Sequence, residues 1–389
     1  MLRAAVFLLG CLLAKPALGQ LVITPDDAVS AALQNHPLAR AAAFDVQARQ
    51  FGHRAAGNLP NPEVNAESPT GEFYTVGVLQ SFDFPTVYAR QKQVARAETG
   101  LAEAGQLVGL NDLRQSVRRL YLQAQVAEYR ARQWVERDSL YQAIAAAAGR
   151  QFEAGEIDFL QKTLAENEAG NVHQERLAAE QNAALARQQL TTYAGLPAPG
   201  TLLPLSPDTA GLVLIPDVSA SPVVRYEQQA VQVAEKQAGL ARSRALPGFS
   251  LGYLNQGARS TPIDYRFRAT VGIPLWTGQY RAGRKAAESE VRAAQSRAAA
   301  QQQTVEMGLQ RAQTEAASAL VREKYYRQEA LPRSLGLIDA ATRMREAGQI
   351  DYVVYLRTLD EAFDIRRDYA AQVLILNEAR IEVLYLSGR

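Results

Sequence analysis

The segment Glu153-Ala154-Gly155-Glu156-Ile157-Asp158-Phe159 recurs later in the chain as Glu346-Ala347-Gly348-Gln349-Ile350-Asp351-Tyr352. Each copy separates two long stretches that are rich in Ala, Gln, Arg and Glu, a composition typical of long, thin helical packing. A helix that reverses direction often needs a residue with positive φ, and Gly supplies it. The two segments therefore predict two helical hairpins of the same design.

Three further pairs of markers occur in the same order in both halves of the chain, at offsets of about 185 to 195 residues. The pairs are Asn35-His36-Pro37 with Ala220-Ser221-Pro222, Leu59-Pro60 with Leu246-Pro247, and Val76-Gly77-Val78 with Val271-Gly272-Ile273. This order predicts a duplication, with a first repeat at residues 20–196 and a second at 220–389. The Pro- and Gly-rich residues 197–219 break helix and are predicted to connect the two repeats. The fold class is mainly α with a small β part, and each repeat is a helix–strand–strand–long helix–helix unit.

The long helix of the first repeat carries a heptad pattern. Its apolar positions are Leu110, Leu113, Val117, Leu120, Ala124, Ala127, Ala131, Trp134, Tyr141, Ala145 and Ala148, interrupted at Asp138. A repeat sustained over this length is typical of a coiled-coil seam. A helix from Thr86 to Gly149 would be roughly 95 Å long. On this feature alone an ordinary dimeric coiled coil remains an alternative.

Four strands are predicted from alternating apolar and polar residues, at about 61–68, 72–84, 247–256 and 264–275. Glu63, Asn65 and Glu67 share the polar face of the first strand, and Arg266 and Arg268 share that of the last. A soluble sheet with one buried face would give the same alternation. If the strands span a membrane, four cannot close a barrel, and open edges are not tolerated in lipid. Three chains would supply twelve strands and a passage, which would be lined by these five polar residues.

Residues 1–19 have the features of a secretory signal peptide, with Arg3, an apolar run and a small-residue cleavage site at Ala17-Leu18-Gly19. Cys11 is the one cysteine of the chain, so disulfides and thiolate metal ligands are not expected in the exported protein. Lys plus Arg number 42 against 40 Asp plus Glu, and a near-neutral chain lacks the basic excess of a nucleic-acid-binding protein. We expect no nucleic-acid partner.

Enzyme motifs are absent from the sequence. There is no G-x-S-x-G, H-E-x-x-H or phosphate-binding Gly-Lys loop. His36, His53 and His173 are scattered, and none has a second ligand at metal-binding spacing. The sequence therefore predicts a protein that is not an enzyme, with no cofactor, no catalytic residues and no metal site.

Taken together, the exported chain, the duplicated plan, the Leu-Pro junctions, Val271-Gly272-Ile273-Pro274-Leu275 and the two Ala-Gly-x-Ile-Asp turns resemble the TolC-type outer-membrane efflux proteins. The Gly-Glu-Ile-Asp-Phe turn and the Phe84-Pro85 strand exit are similar to the branch that serves heavy-metal cation exporters. The resemblance implies a homotrimer in the outer membrane of a Gram-negative bacterium. It has one twelve-stranded barrel in lipid and a long coiled-coil tunnel in the periplasm. It also implies two partners, a periplasmic adaptor and an inner-membrane pump of the RND type.

In this family the turns between the long helices form the tip that meets the adaptor. The resemblance assigns that contact to Ala154, Gly155, Ile157, Ala347, Gly348 and Ile350. Members of the family carry acidic residues further along the returning helices, where this chain has Gln161, Val354 and Arg357. Asp158 and Asp351 would place carboxylates near the tip, although acids at a helix start also stabilise the helix through its dipole.

Two alternatives remain open at the level of the sequence. One is the outlet of a type I protein secretion system, because the pump selects the cargo. The other is a periplasmic coiled-coil adaptor or scaffold without membrane strands. An adaptor would carry one helical hairpin with lipoyl-like β segments, whereas this chain predicts two hairpins and two strand pairs.

Overall fold

The structure is a computed structural model of the chain, and it describes residues 22–67, 75–197, 199–210, 217–255 and 266–389. The predicted signal peptide, the tips of both predicted strand pairs and part of the predicted connector lie outside these residues. The first half contains β1 (Val22–Ile23), α1 (Pro25–Asn35), α2 (Pro37–Ala55), β2 (Glu63–Glu67), β3 (Thr75–Phe82), α3 (Pro85–Glu153) and α4 (Phe159–Ala194). The second half contains β4 (Thr201–Leu202), α5 (Pro222–Ser243), β5 (Gly248–Leu254), β6 (Phe267–Gly272), α6 (Thr277–Tyr325), α7 (Leu331–Glu346) and α8 (Tyr352–Leu386).

The fold is mainly helical with a small β part, as predicted. The order helix, strand, strand, long helix, helix occurs twice, in α2–β2–β3–α3–α4 and again from α5 to α8. Within the predicted first repeat, β1 and α1 precede the Asn35-His36-Pro37 marker. Pro37 does not begin the first helix, because α1 already spans Pro25–Asn35, and the chain bends at His36 between the two helices.

The helix α3 spans 69 residues, or roughly 100 Å. Pro85 stands in its first turn, where a missing N–H costs nothing. The predicted seam is buried at Leu113, Val117, Ala124, Ala131, Tyr141 and Ala148. Asp138, which interrupts the pattern, is also buried and forms an ion pair with Arg176 of α4 at 2.8 Å. The interruption is therefore filled by a charged contact with the neighbouring helix.

The second long helix is continuous but not uniform. Between α6 and α7 the chain makes one π-helical turn at Tyr326–Ala330, where the N–H of Leu331 donates to the carbonyl of Tyr326. Pro332 follows at once and has no N–H, and a proline ring clashes with the carbonyl four residues earlier. The wider turn relieves that clash and lets the helix continue.

The predicted connector is not a bare linker. Its strand β4 pairs in parallel with β1. The buried hydroxyl of Tyr121 on α3 joins the two strands, since it donates to the carbonyl of Ile23 at 2.7 Å and accepts from the N–H of Leu203 at 3.0 Å. Asn377 of α8 accepts from the N–H of Asp208 and donates to the carbonyl of Ser206, both at 2.9 Å. These contacts fasten the connector to the middle of the helical body.

The remaining strands form one four-stranded antiparallel sheet in the order β2-β3-β5-β6. The sheet lies where α2 and α5 end and where α3 and α6 begin. The turns 154–158 and 347–351 lie at the far ends of α3 and α7, so the sheet and the helical hairpins occupy opposite ends of the long helices.

Candidate functional site

The two helical hairpin turns have the same backbone design. Gly155 (φ +74°) and Gly348 (φ +69°) follow the last residues of α3 and α7 in the left-handed region. The N–H of Gly155 donates to the carbonyl of Phe152, and that of Glu156 to the carbonyl of Gln151; the second turn repeats both bonds. This pair of bonds is the Schellman motif, which satisfies the last carbonyls of a helix. A Cβ at either glycine would meet no atom within 4 Å, so backbone conformation alone selects Gly here.

Asp158 and Asp351 begin the returning helices as N-caps. Asp158 accepts from the N–H of Gln161 at 2.8 Å, and Asp351 from the N–H of Val354 at 2.9 Å. An N-cap oxygen satisfies one of the four unpaired N–H groups of a helix start. Both carboxylates are exposed, so each has a structural role and still adds negative charge to the surface of the turn.

The six residues assigned to the adaptor contact divide into two groups. Ala154, Gly155, Ala347 and Gly348 are exposed, whereas Ile157 and Ile350 are half-buried. Ile157 packs on the buried cluster of Ala148, Ala165 and Tyr352, and Ile350 packs on a neighbouring cluster around Tyr141 and Leu359. The two isoleucines therefore pack against the hairpin helices with part of their surface and expose the rest at the turns.

The apolar surface at this end belongs to residues that sequence reasoning did not select. Phe159 and Leu160 at the start of α4 are 68% and 65% exposed, and Val353 and Val354 at the start of α8 are also exposed. The sequence does carry a signal for these residues. Phe159 and Leu160 directly follow the N-cap Asp158, and Val353 and Val354 follow the N-cap Asp351 after one intervening residue. Polar residues are the usual choice at exposed positions, so these apolar pairs are a candidate contact surface.

The two hairpins lie side by side in one chain, joined by α3 and α8. Arg137 of α3 forms an ion pair with Asp360 of α8, and the hydroxyl of Tyr141 donates to the same carboxylate at 2.7 Å. The Arg137 guanidinium also lies over the rings of Trp134 and Phe363, 5.0 and 5.3 Å from their centroids. Burial and the hydrogen bond to Asp360 raise the pKa of Tyr141 well above its ordinary value.

A second group of contacts fixes the hairpins nearer the turns. Arg345 of α7 donates to the side chain of Gln151 on α3 at 3.2 Å, and its guanidinium lies 5.9 Å from the centroid of the Tyr352 ring. Tyr352 is buried, and its hydroxyl has no hydrogen-bond partner among the described residues. Burial raises the pKa of Tyr352 to about 12. The two tip turns are thus held in one fixed relation to each other.

At the opposite end, the sheet has one apolar and one polar face. The register places Val64, Val78, Tyr253 and Phe267 on one side, and Glu63, Leu79, Gly252 and Arg268 on the other. The polar-face assignment of Glu63, Asn65 and Arg268 follows directly from this pairing, and the backbone of Glu67 pairs with that of Thr75. Arg266 precedes β6 and donates to the side chain of Asn255.

The apolar face is exposed along the sheet, and β6 is exposed on both of its faces. Its larger side chains are between 38% and 72% exposed: Val64, Val76, Val78, Phe249, Leu251, Tyr253, Phe267 and Val271. Along β5 the apolar positions are exposed, whereas the alternate positions of Gly248, Ser250, Gly252 and Leu254 are half-buried. A soluble sheet buries its apolar face. This sheet therefore presents a contiguous apolar surface that no element of the described chain covers.

None of the helices resolved in the described ranges has the length and apolar character needed to cross a membrane. In the same ranges, no group of three or more His, Cys, Asp or Glu side chains is arranged to hold a metal ion.

Comparison with known proteins was informative for structure alone. No family model and no curated protein matched the chain. Among solved structures, the chain is similar to the outer membrane protein VceC of Vibrio cholerae, with 15% identity, a TM-score of 0.76 and coverage of 94% of this chain and 96% of that one. The Campylobacter jejuni CmeC outer membrane channel gives 13% identity, a TM-score of 0.79 and coverage of 94% and 85%.

A third similar structure is CusC, described for its folding and transmembrane channel formation, with 18% identity, a TM-score of 0.78 and coverage of 95% and 92%. At these identities the likeness establishes the fold. The chain has the fold of outer-membrane channel proteins over nearly its whole length, and the predicted resemblance to the TolC type is confirmed at that level.

Proposed function

We propose that the chain is one subunit of a homotrimeric channel in the outer membrane of a Gram-negative bacterium, and that its helices extend into the periplasm. The channel would conduct substrates passively out of the cell after a pump and an adaptor deliver them. The observation that carries the proposal is the four-stranded sheet whose exposed face is apolar, at one end of helices roughly 100 Å long.

The apolar face supports contact with outer-membrane lipid. Membrane strands alternate apolar residues toward lipid with polar residues toward the lumen, and the register of this sheet separates its residues in that way. The eight residues of β3 are roughly 27 Å long, which at the usual strand tilt covers about 20 Å of the apolar band of about 25 Å in such proteins.

The open edges of the sheet support assembly. Among the described residues, β2 and β6 each have one neighbouring strand, so each leaves a row of backbone groups without a strand partner on its outer side. Unpaired backbone groups in hydrocarbon cost several kcal/mol each, so a spanning sheet must close. Three chains would close a twelve-stranded barrel wide enough for a passage, with Glu63, Asn65, Glu67, Arg266 and Arg268 lining its lumen.

The tip supports docking of a partner. Phe159, Leu160, Val353 and Val354 are exposed beside the glycine turns, where a periplasmic adaptor would contact the channel. We propose this apolar group as the adaptor surface, together with the six tip residues Ala154, Gly155, Ile157, Ala347, Gly348 and Ile350. The pump behind the adaptor would be of the RND type, and heavy-metal cations are the proposed cargo on the strength of the Gly155–Phe159 turn and the Phe84-Pro85 strand exit.

Two rivals make different predictions. An outlet for protein secretion would share the whole architecture and differ only in its pump. A periplasmic scaffold would leave the apolar sheet face in water, which its exposed area argues against. Neither rival nor the channel needs an enzyme activity or a cofactor.

Cell fractionation followed by mass measurement tests the proposal. We expect the exported protein in the outer-membrane fraction and, in detergent, a mass three times that of the mature chain. Reconstituted protein should conduct ions across a planar bilayer. Recovery as a monomer in the soluble periplasmic fraction would rule out the channel. Comparing the tolerance of a deletion strain to metal cations, detergents and dyes would then identify the cargo.

A further inference from the structure

A cavity of about 340 Å³ lies between α3 and α8, beside the ion pair of Arg137 and Asp360. A cavity of this size accommodates a small organic molecule. Aromatic rings and guanidinium groups form most of its wall. The lining residues are Tyr129, Arg130, Gln133, Trp134, Arg137, Phe363, Asp364, Arg367 and Ala370.

Three aromatic rings supply the apolar part of the wall. Phe363 is buried, whereas Tyr129 and Trp134 are half-buried. The hydroxyl of Tyr129 accepts from the side-chain amide of Gln133 at 2.9 Å, and burial raises the pKa of Tyr129. Aromatic side chains pack well against other flat rings, in offset or edge-to-face arrangements. The wall therefore suits a planar aromatic occupant.

The charged part of the wall consists of three guanidinium groups and one carboxylate. Arg367 is paired with Asp364 at 2.6 Å and with Asp368 at 3.5 Å, and Arg137 is paired with the carboxylate of α8 described above. Arg130 is exposed and has no ion-pair partner among the described residues. The lining thus retains a positive charge that an anionic occupant would neutralise.

Arg137 also carries a hydrogen-bond donor that the chain leaves unpaired. Its Nε–H is buried, and no acceptor in the described part of the chain bonds to it. Its terminal nitrogen is the one that pairs with Asp360. A buried donor without an acceptor is unfavourable, and hydrogen bonds between a guanidinium and a carboxylate are among the strongest in proteins.

We propose that this α3–α8 cavity binds a small molecule with a planar aromatic ring and a carboxylate. The ring packs against Trp134, and the carboxylate accepts from the Nε–H of Arg137 and pairs with Arg130. An aromatic cation would be repelled by the same guanidinium groups. Because the occupant contacts both α3 and α8, it links the first helical hairpin to the second. The site is separate from the tip and from the sheet, so it goes beyond the proposed channel function.

Tryptophan fluorescence of the detergent-solubilised full chain tests the site. The chain has two tryptophans, and Trp276→Phe leaves Trp134 as the reporter in the cavity wall. We expect benzoate to change the emission of Trp134 saturably. Benzamide, its neutral isostere, should bind at least about fivefold more weakly, because it lacks the charge. A Trp134→Phe variant, which keeps the exposed Trp276, should show no saturable change.

An absence of saturable change with benzoate, or equal binding of benzamide, would overturn the proposed site. The readout does not depend on the oligomeric state, so it tests the cavity separately from the proposed channel.

Two arginines on α3 provide a matched pair of variants. Arg130 and Arg132 are both exposed, and neither has an ion-pair partner among the described residues. Arg132 lines a different cavity, between α3 and α4. We expect Arg130→Gln to raise the Kd for benzoate about three- to fivefold, and Arg132→Gln to change it by less than about twofold. Equal effects of the two substitutions would overturn the assigned site, because the attraction would then be general rather than local.

Discussion

Substituting Asp158 and Asp351 by Asn, and separately by Ala, separates a capping role from a charge role. Each carboxylate accepts one hydrogen bond from a backbone N–H, at 2.8 Å from Gln161 and 2.9 Å from Val354. Asn keeps a side-chain oxygen for that N–H and caps about as well as Asp. Ala removes the hydrogen-bond acceptor altogether. Both substitutions therefore remove the negative charge, but only Ala also removes the N-cap.

The size of the effect follows from these bonds. Loss of an N-cap costs about 1 kcal/mol of helix stability, which corresponds to about a fivefold increase in local opening. Loss of the carboxylate alone removes its interaction with the helix dipole, about 0.3 to 1 kcal/mol at an exposed site. We therefore expect the first turns of α4 and α8 to open least in the wild type, slightly more in the Asn variants and most in the Ala variants.

Amide hydrogen exchange at Gln161 and Val354, in the detergent-solubilised protein, measures this opening. The reasoning would be refuted if the Asn variants exchanged as fast as the Ala variants, because the cap would then contribute nothing. Single-channel reversal potentials provide the second readout. A capping role predicts unchanged ion selectivity for the double Asn variant, and a shifted reversal potential would place the two carboxylates in the ion path.

Further substitutions address other parts of the molecule. Gly155→Val forces a β-branched residue into positive φ at a cost of about 1–2 kcal/mol or more, so efflux should fall while membrane insertion is retained; normal efflux would contradict the tip assignment. Tyr141→Phe deletes the bond to Asp360 and should lower the free energy of unfolding by about 1–2 kcal/mol. Tyr352→Phe, its matched control, deletes a hydroxyl without a partner among the described residues and should be neutral or stabilising in the same denaturant titration. Reversing the charges of Arg266 and Arg268 should change the reversal potential in a bilayer, and an unchanged value would place them outside the lumen.

Periodic features of the sequence predicted the corresponding parts of the fold well. The heptad from Leu110 to Ala148 and the alternation from Phe249 to Tyr253 each repeat a local rule many times, so isolated exceptions do not hide the pattern. The glycine turns at Gly155 and Gly348 were predicted because positive φ is a strictly local requirement. The heptad pattern did not predict the burial of Asp138, because that burial depends on an ion pair with Arg176 of another helix.

Features that depend on distant contacts were not predicted. The two-residue strands β1 and β4 are too short to show a pattern, and they pair because Tyr121 bonds to both segments. The inward orientation of Ile157 depends on a cluster contributed by three helices, so its motif position alone did not show that it is half-buried. For the π-helical turn, the sequence shows only that Pro332 in a long helix requires a local change of backbone geometry. It does not show that the change is a π-helical turn.

The exposed apolar residues at the tip could not be predicted from sequence periodicity. Phe159 and Val353 follow capping residues, and a sequence pattern does not show whether a neighbouring helix covers them. Their exposure became visible only after α3, α4, α7 and α8 were placed together. The same holds for the apolar sheet face. Its alternation of apolar and polar residues fits a buried sheet equally well, and only the exposed fraction of its side chains distinguishes the two.

The central claim is that the apolar face of the sheet contacts lipid, and a pair of arginine substitutions on adjacent residues of β5 tests it most directly. Leu251 lies on the apolar face and Ser250 on the polar face of the same strand. Arginine on a lipid-facing strand position costs about 2–4 kcal/mol near the middle of the bilayer and far less toward the lumen. We predict that Leu251→Arg lowers the free energy of unfolding in lipid vesicles by that amount, while Ser250→Arg changes it little. Equal tolerance of both substitutions, or greater damage from Ser250→Arg, would contradict the account.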